Sequence, residues 1–450
     1  MTSAASIPAG SVRIPCGIVA PPVQVPRLRY ALEALLVPLG IDPVWNTQPG
    51  GDAGLWYAPA DEAAPPGWLH LEAPRSVDLA GIRDLIDPVQ TAWWWLSGEG
   101  ETASPTRDRL GRYVYAGSWH EQWSLGMRAP VDEARDRLGD RLREASFPVH
   151  PRRWEGKPWA LCPTHDVDYV RKFRPGILWR ETVEHLLLDG RREPFTARSR
   201  RWMRFMAGAW PGRDPFRTAL FRLLEAERAA GATATWFFKA GAHGPYDVAY
   251  AIDSRFLKRF FGQLSAAGHE VGLHPGFHAY AHEGYLADET ARLRYAVGVA
   301  PRSVRTHYLR WHERETVAVA ARHGFSIDST LGFPDAPGFR RGTCLPFRLW
   351  DHSADRASQV WEMPLSLMES MLFNRQGLDA DGAMAETHRM ADTCRRHGGA
   401  LVALWHNVLW DEDDQPGWGA HFERTLDLAR HDGAAIRSLS SALAEWRPAP

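Results

Sequence analysis

The sequence predicts an α/β fold: from about residue 155 on, repeated βα units forming a parallel barrel, and before them a small α/β domain. From residue 215 onward, helical apolar runs that stop at glycine alternate with short strands rich in β-branched and aromatic residues. Polar residues with chemical potential follow several of those strands directly, which is where α/β folds place their sites. The 450 residues, 44% hydrophobic and 24% charged, suit a globular chain of two or three domains.

Residues 1 to about 25 are rich in proline and small residues and read as an extended arm, with a short strand at 12–19. Residues 27–39 carry apolar positions at helical spacing and form an amphipathic helix ending near Pro38. Strand-like pieces at 54–57 and 68–71, a tryptophan-rich segment at 92–96 and a helix over 131–145 complete a domain spanning 1–150 that holds no chemical motif. Its boundary falls at 147–158, where prolines and basic residues interrupt the periodicity.

The second domain, 155–450, opens on a strand at 159–161 and then carries an insertion, 171–215, with eleven Lys and Arg against five acids and several aromatic residues. Two readings of it stand open. One is a basic, aromatic surface for an anionic membrane or phosphate. The other is a helical hairpin with its apolar stripe on the barrel and its charges in water. Helices at 216–230, 254–267, 286–297, 313–323 and 383–397 then alternate with strands at 233–239, 270–273, 303–306, 325–328 and 400–405.

Two stretches carry the chemistry. CPTHDVDYV, residues 162–170, puts Asp166 and Asp168 at a strand's carboxyl end. GHEVGLHPGFHAY, residues 268–280, holds His274 and His278 four apart, a spacing that brings two imidazoles to one face of a helical turn or tight loop. One carboxylate with two histidines makes a three-ligand site for a divalent metal, with positions open to water. Later come RTHYLRW at 305–311, GFSIDST at 324–330 and LVALWHN at 401–407.

These five motifs, in this order, resemble those of the NodB-like polysaccharide deacetylases, carbohydrate esterase family four. The resemblance covers about 155–450 and leaves the first 150 residues unaddressed. It implies a distorted (β/α) barrel of about seven parallel strands and a metal-dependent hydrolase that removes an N-acyl group from an amino sugar. Residue by residue, it implies Asp166 as base, Asp168 with His274 and His278 as metal ligands, and Arg305 as the cation beside the base. It further implies a Tyr308 backbone N–H as oxyanion donor, His406 as general acid, and Asp328 as the carboxylate that raises the basicity of His406. Asp328 also reads as the cap of the turn after it. The metal implied is zinc first, with iron, cobalt or nickel as alternatives. Two departures stand out: Val167 separates carboxylates that are usually adjacent, and Thr306, His307 and Leu309 replace the usual prolines and glycine. His269, His307 and Asn407 read as supporting or structural residues, and Lys239 and Trp311 as pocket residues.

A net charge of −1 excludes bulk attraction to nucleic acid. The first thirty residues lack a basic start followed by an apolar core, and no run of eighteen apolar residues exists, so the expected compartment is the cytoplasm. Cys16, Cys162, Cys344 and Cys394 are far apart and read as reduced, structural thiols. The expected partner is an N-acylated sugar or a lipid- or nucleotide-linked glycan precursor, with peripheral membrane contact through 171–215. Two rivals use the same residues: a deformylase or other non-peptide amide hydrolase, and a carbohydrate-binding protein without turnover.

Overall fold

In a computed structural model of the chain, the described residues are 11–45, 53–74, 78–188, 194–210, 212–412 and 414–448. The first strands are β1 (Val12–Ile18), β2 (Ile41–Trp45), β3 (Leu55–Pro59) and β4 (Leu69–Ala73), which pair in parallel in the order β2-β1-β3-β4. The helix Val25–Leu36 starts with proline in its first turn and buries Leu28, Ala31, Leu32, Leu35 and Leu36, the stripe its periodicity predicts. The short strand β5 (Arg152–Trp154) follows and pairs antiparallel with β16 (Trp446–Pro448).

Between them lies a curled sheet. Its strands are β6 (Ala160–Val167), β7 (Thr235–Phe238), β8 (Glu270–Leu273), β9 (Ser303–Val304), β10 (Ile327–Asp328), β11 (Phe347–Asp351), β12 (Arg356–Glu362), β13 (Leu365–Met368), β14 (Ala400–Leu404) and β15 (Ala435–Ile436). The order is β11-β12-β10-β9-β8-β7-β6-β14-β13, with β15 beside the first residues of β6. Every pairing in it is parallel except β11 with β12. Only Met363 and Pro364 separate β12 from β13, so the two ends of the parallel run, β12 and β13, are joined by one kinked chain rather than by a ladder. Proline has no N–H for a ladder, so the kink falls at a position where pairing must lapse. Counted with that kinked strand as one, the barrel is distorted and has seven parallel positions, as the resemblance implies.

β6 is buried at all eight positions, as expected of a central strand covered on both faces. All four cysteines are buried and free. No described helix is long and apolar enough to cross a membrane.

The N-terminal core does not stop at the sheet: Leu35, Trp93 and Trp95 share one cluster with Leu331, Phe347, Trp350 and Val360 of the barrel. Beside it lies a buried ion network. Glu101 accepts from Arg340 Nε and Nη2 at 2.9 and 2.7 Å, and Arg341 Nε lies 3.1 Å away. Arg341 also donates to Glu313 at 2.6 Å. Removing one member of such a network leaves charges buried without partners, at a cost of about 3 kcal/mol or more. Glu101→Gln should therefore lower the unfolding free energy by about that amount in urea titrations, whereas Glu133→Gln, which breaks the exposed pair with Arg128, should cost less than about 1 kcal/mol. Equal effects would refute the claim that the network joins the two parts.

Candidate active site

The carboxyl ends of β6, β8, β9, β13 and β14 deliver the polar side chains of one cluster. Asp166 belongs to β6 and Asp168 follows it. Arg305 is fully buried, and its guanidinium lies over the Phe237 ring at 4.6 Å. It donates to Asp166 Oδ1 at 3.2 Å, to Thr164 Oγ1 at 2.8 Å, and to Ser329 at its carbonyl and hydroxyl oxygens. The pairing of Arg305 with Asp166 expected from the sequence is thus present as geometry.

Asp168, His274 and His307 bring one ligand atom each to within 4.8 Å of one another. The third member is His307, and His278 stays outside with an exposed side chain. The expectation for His278 was that a helical turn or tight loop after His274 brings both imidazoles to one face. The chain instead runs through Pro275 and Gly276 as irregular loop, so a spacing of four no longer sets a common face. Gly276 is held by Glu289 at its N–H, and a Cβ there would meet Asp247 Oδ2 at 2.8 Å. Phe277 turns inward, its N–H bound by Asp247, and His278 turns out. His307 comes from the turn after the next strand, β9, two residues past Arg305, with Thr306 extended between them.

Two hydrogen bonds fix the imidazoles. His274 Nδ1 lies 2.6 Å from the Arg305 carbonyl, and His307 Nδ1 lies 2.7 Å from Asp247 Oδ1. Both oxygens only accept, so both Nδ1 atoms carry the hydrogen and both Nε2 atoms present lone pairs. Those atoms lie 3.5 and 3.3 Å from Asp168 Oδ1, a buried oxygen with no hydrogen-bond partner. One carboxylate oxygen and two imidazole nitrogens facing one point are a donor set suited to a divalent cation. The spacings match the edge of about 3.4 Å between tetrahedral ligands with arms of about 2.1 Å, so the residues fit a zinc-like metal. Burial alone would raise the Asp168 carboxyl; His307 and His274, when each carries a second proton on Nε2, hold it well below the usual carboxylate range, and a metal at the same point takes the place of those protons. Lys239 is buried and donates to Asp247 at 2.9 Å, which makes it a support for the His307 partner rather than a pocket residue.

His406 follows β14 and presents Nε2 to Asp168 Oδ2 at 3.9 Å. Its Nδ1 and its backbone N–H both reach Glu369 Oε1 at 2.7 Å. Burial would lower His406, and Glu369, with Asp168 and Asp166 behind it, outweighs burial and brings it up to about 9. Glu369, just after β13, thus stands where Asp328 was expected, and the sequence reading assigned no strand there. Asp328 accepts from the Thr330 N–H at 2.7 Å, the turn-capping alternative, and its other neighbour is the Glu362 carboxyl. Tyr308 has φ 61° and Leu309 φ 53°, both left-handed, so the chain turns sharply past His307. The Tyr308 carbonyl accepts from Arg112 of the N-terminal domain at 3.0 Å. His269 and Asn407 are structural: the first accepts from the Ala234 N–H, and the second donates to the Tyr169 and Phe216 carbonyls. Trp311 packs beside the N-terminal core.

The Asp328 and Glu362 pair makes a separable prediction. Burial raises Asp328 to about 6, and burial followed by Asp328 raises Glu362 well above its usual range. Between about pH 4 and about pH 6 these groups ionise in the unfolded chain before they do in the folded one, so their contribution to stability falls as pH rises through that window. Asp328→Asn keeps the acceptor for Thr330 and should flatten the decline in melting temperature over that range. An unchanged profile would remove Asp328 as its source.

No family model and no curated protein matches the chain. Among solved structures, the chain is similar to the "probable Polysaccharide deacetylase" of Pseudomonas aeruginosa PAO1, at 17% identity over 68% of this chain and 96% of that one, TM-score 0.43. It is also similar to Puue Allantoinase, at 18% identity over 67% and 94%, TM-score 0.44. A family 4 carbohydrate esterase from Streptomyces lividans aligns at 14% identity over 66% of this chain and 100% of that one, TM-score 0.34. What the chain itself displays is a distorted barrel of parallel strands behind a small parallel-sheet domain.

Proposed function

We propose that the protein is a metal-dependent hydrolase that removes an N-acyl group, acetyl first, from an amino sugar of a glycan or of a lipid- or nucleotide-linked glycan precursor. The observation that carries this is the convergence of Asp166, Asp168, His274, His307 and His406 at the carboxyl ends of the barrel strands. A divalent metal, zinc first, held by Asp168, His274 and His307, would supply Lewis acidity toward the attacking water and the acyl carbonyl. Asp166, paired with Arg305 at 3.2 Å, accepts the proton of the attacking water. His406, oriented and charged through Glu369, gives a proton to the departing amine, so that the amide and water become a carboxylic acid and an amine. The Tyr308 backbone N–H, at the sharp turn past His307, is the candidate donor to the oxyanion.

What favours a sugar is the rim. Tyr246 and Tyr308 are 40% and 38% exposed, their rings 5.4 Å apart, and Tyr308 adjoins His307 at 4.5 Å. Exposed aromatic faces suit the apolar faces of sugar rings. The proposed place of action is the cytoplasmic side of a membrane, with residues 171–215 in peripheral contact.

The metal assignment is tested by content after dialysis against a weak chelator. His274→Ala and His307→Ala should each lose most of the bound metal, and His278→Ala should retain it. Loss in the His278 variant with retention in the His307 variant would restore the assignment made from spacing.

Turnover separates the other roles. On N-acetylhexosamine oligomers, followed by acetate release, Asp166→Asn and His406→Ala should lose roughly two or more orders of magnitude with metal content unchanged, the usual size of a general base or acid contribution. Glu369→Gln should lose about 10- to 100-fold, as expected for a residue that acts through another. Full activity in Asp166→Asn would overturn the mechanism, and a parent without hydrolysis of any N-acyl sugar would favour the binding-protein rival.

A further inference from the structure

The insertion does not pack as the hairpin alternative requires. It consists of a helical segment Pro175–Trp179 continued by the π-helical Arg180–Leu188, and a second helix, Phe195–Gly208. Of the second helix only Phe205 and Gly208 are buried, and of 180–188 only Glu181. Phe205 stacks on Phe173 at 5.3 Å and anchors the pair from beneath. The remaining large apolar side chains point to solvent: Trp179 at 62%, Leu187 at 62%, Leu188 at 72%, Phe195 at 61%, Met203 at 56% and Trp210 at 72%. Nowhere else in the described chain are so many large apolar side chains exposed on neighbouring elements.

The cross-links between the helices give this face its layout. Arg201 pairs with Glu181, Trp202 Nε1 donates to Thr182 Oγ1, and Arg198 donates to the Leu186 carbonyl, so the helices lie antiparallel. Leu187, Leu188 and Phe195 therefore sit at one end, Trp179 and Trp210 toward the other, and Met203 between. Three cations of the segment are engaged inward: Lys172, Arg180 and Arg201 with Glu181, Asp411 and Asp414. Among the described residues of the segment four arginines, Arg171, Arg200, Arg204 and Arg213, are exposed against one exposed acid, Glu184, so the described outer part is basic.

A soluble monomer rarely leaves such a patch uncovered. Two exposed tryptophans with leucine, phenylalanine and methionine, flanked by arginines, match the chemistry of an anionic lipid interface: apolar groups enter the headgroup boundary while the cations meet lipid phosphates. The segment is also tied to the catalytic face. It leaves the barrel just past Asp168, and Lys172 pairs with Asp411, in the loop that follows His406. We propose that this helical pair is a docking surface for an anionic membrane and that it brings the mouth of the barrel to N-acylated sugars carried on lipid. The docking stands on the patch alone, and the substrate class rests on the hydrolase reading above.

The test uses the full-length, metal-loaded protein and vesicles of phosphatidylcholine with and without phosphatidylglycerol, read by co-sedimentation. The parent should bind the anionic vesicles and be released by salt, as screening requires. Replacing Trp179, Leu188 and Trp210 together by serine should abolish binding, and Arg200→Gln with Arg213→Gln should weaken it on the order of tenfold. Metal content and melting temperature should not change, because all five side chains are exposed. A second readout compares acetate release from a vesicle-anchored N-acetylglucosaminyl lipid and from soluble N-acetylglucosamine oligomers. The serine variant should lose the parent's advantage on the anchored sugar and keep its rate on the soluble one. A parent that binds neither vesicle, or variants that bind as the parent does, would overturn the docking. So would a parent that is dimeric without lipid and becomes monomeric in the serine variant, since a second copy would then cover the patch. Vesicle binding that depends on the tryptophans, with no hydrolysis of either sugar, would uphold the docking and sink the hydrolase reading.

Discussion

Everything at the mouth of the barrel hangs from Arg305. A guanidinium taken wholly out of water is tolerated only if its charge and donors are met, and here four hydrogen bonds and the face of Phe237 meet them. Those bonds tie β6 to the turn after β10 across the cluster. The Arg305 carbonyl receives His274 Nδ1–H, so one residue orients the base candidate through its side chain and a ligand candidate through its backbone. Two residues further on, at the start of the turn after β9, comes His307. A strand of two residues, β9, can hold this much geometry because its end is clamped on both sides: Arg305 N–H bonds the Leu273 carbonyl, and Ser329 N–H bonds the Val304 carbonyl.

The barrel was legible where apolar periodicity and turn chemistry agreed. Strand 270–273 falls where read, and the helices Pro215–Ala230 and Arg255–Ala266 lie within a residue of the reading, because Asp214 and Ser254 cap them and Gly231 ends the first. The stretch from β11 to β13 was not read, although β12 alternates buried and exposed positions along most of its length. With it went Glu369, whose role depends on a strand that no motif marks. Asp166, Asp168, Arg305 and His406 come together because strand ends converge in a parallel barrel, a rule that needs no side-chain detail. That His307, and not His278, lies beside Asp168 and His274 was out of reach, since it turns on the path of a loop. Spacing carries geometric meaning only inside regular structure, and residues 274–278 are not regular.

The first domain was legible as a fold and silent as to role, and its contacts explain why. It meets the barrel through ion pairs and apolar packing made of ordinary residue types, none of which forms a motif. One of those contacts reaches the site's rim, and another ties the first domain to the loop after β10. Arg112, itself paired with Asp108 at 2.6 Å, donates to the Tyr308 carbonyl, and Asp335 accepts from the Tyr115 and Ala116 N–H groups.

A non-glycine residue at φ 61° carries local strain and persists only where its surroundings over-determine it. At Tyr308 the surroundings include Arg112, which holds the carbonyl and lies 5.9 Å from the ring. The ring in turn meets Phe277 and Tyr246, and the same turn sets His307 against Asp247 and Asp168. A segment about two hundred residues upstream therefore holds the turn that directly follows His307. The N-terminal domain is in this sense part of the wall of the site, and the loop that replaces the family's usual prolines and glycine gets its shape partly from a domain that the family resemblance does not cover.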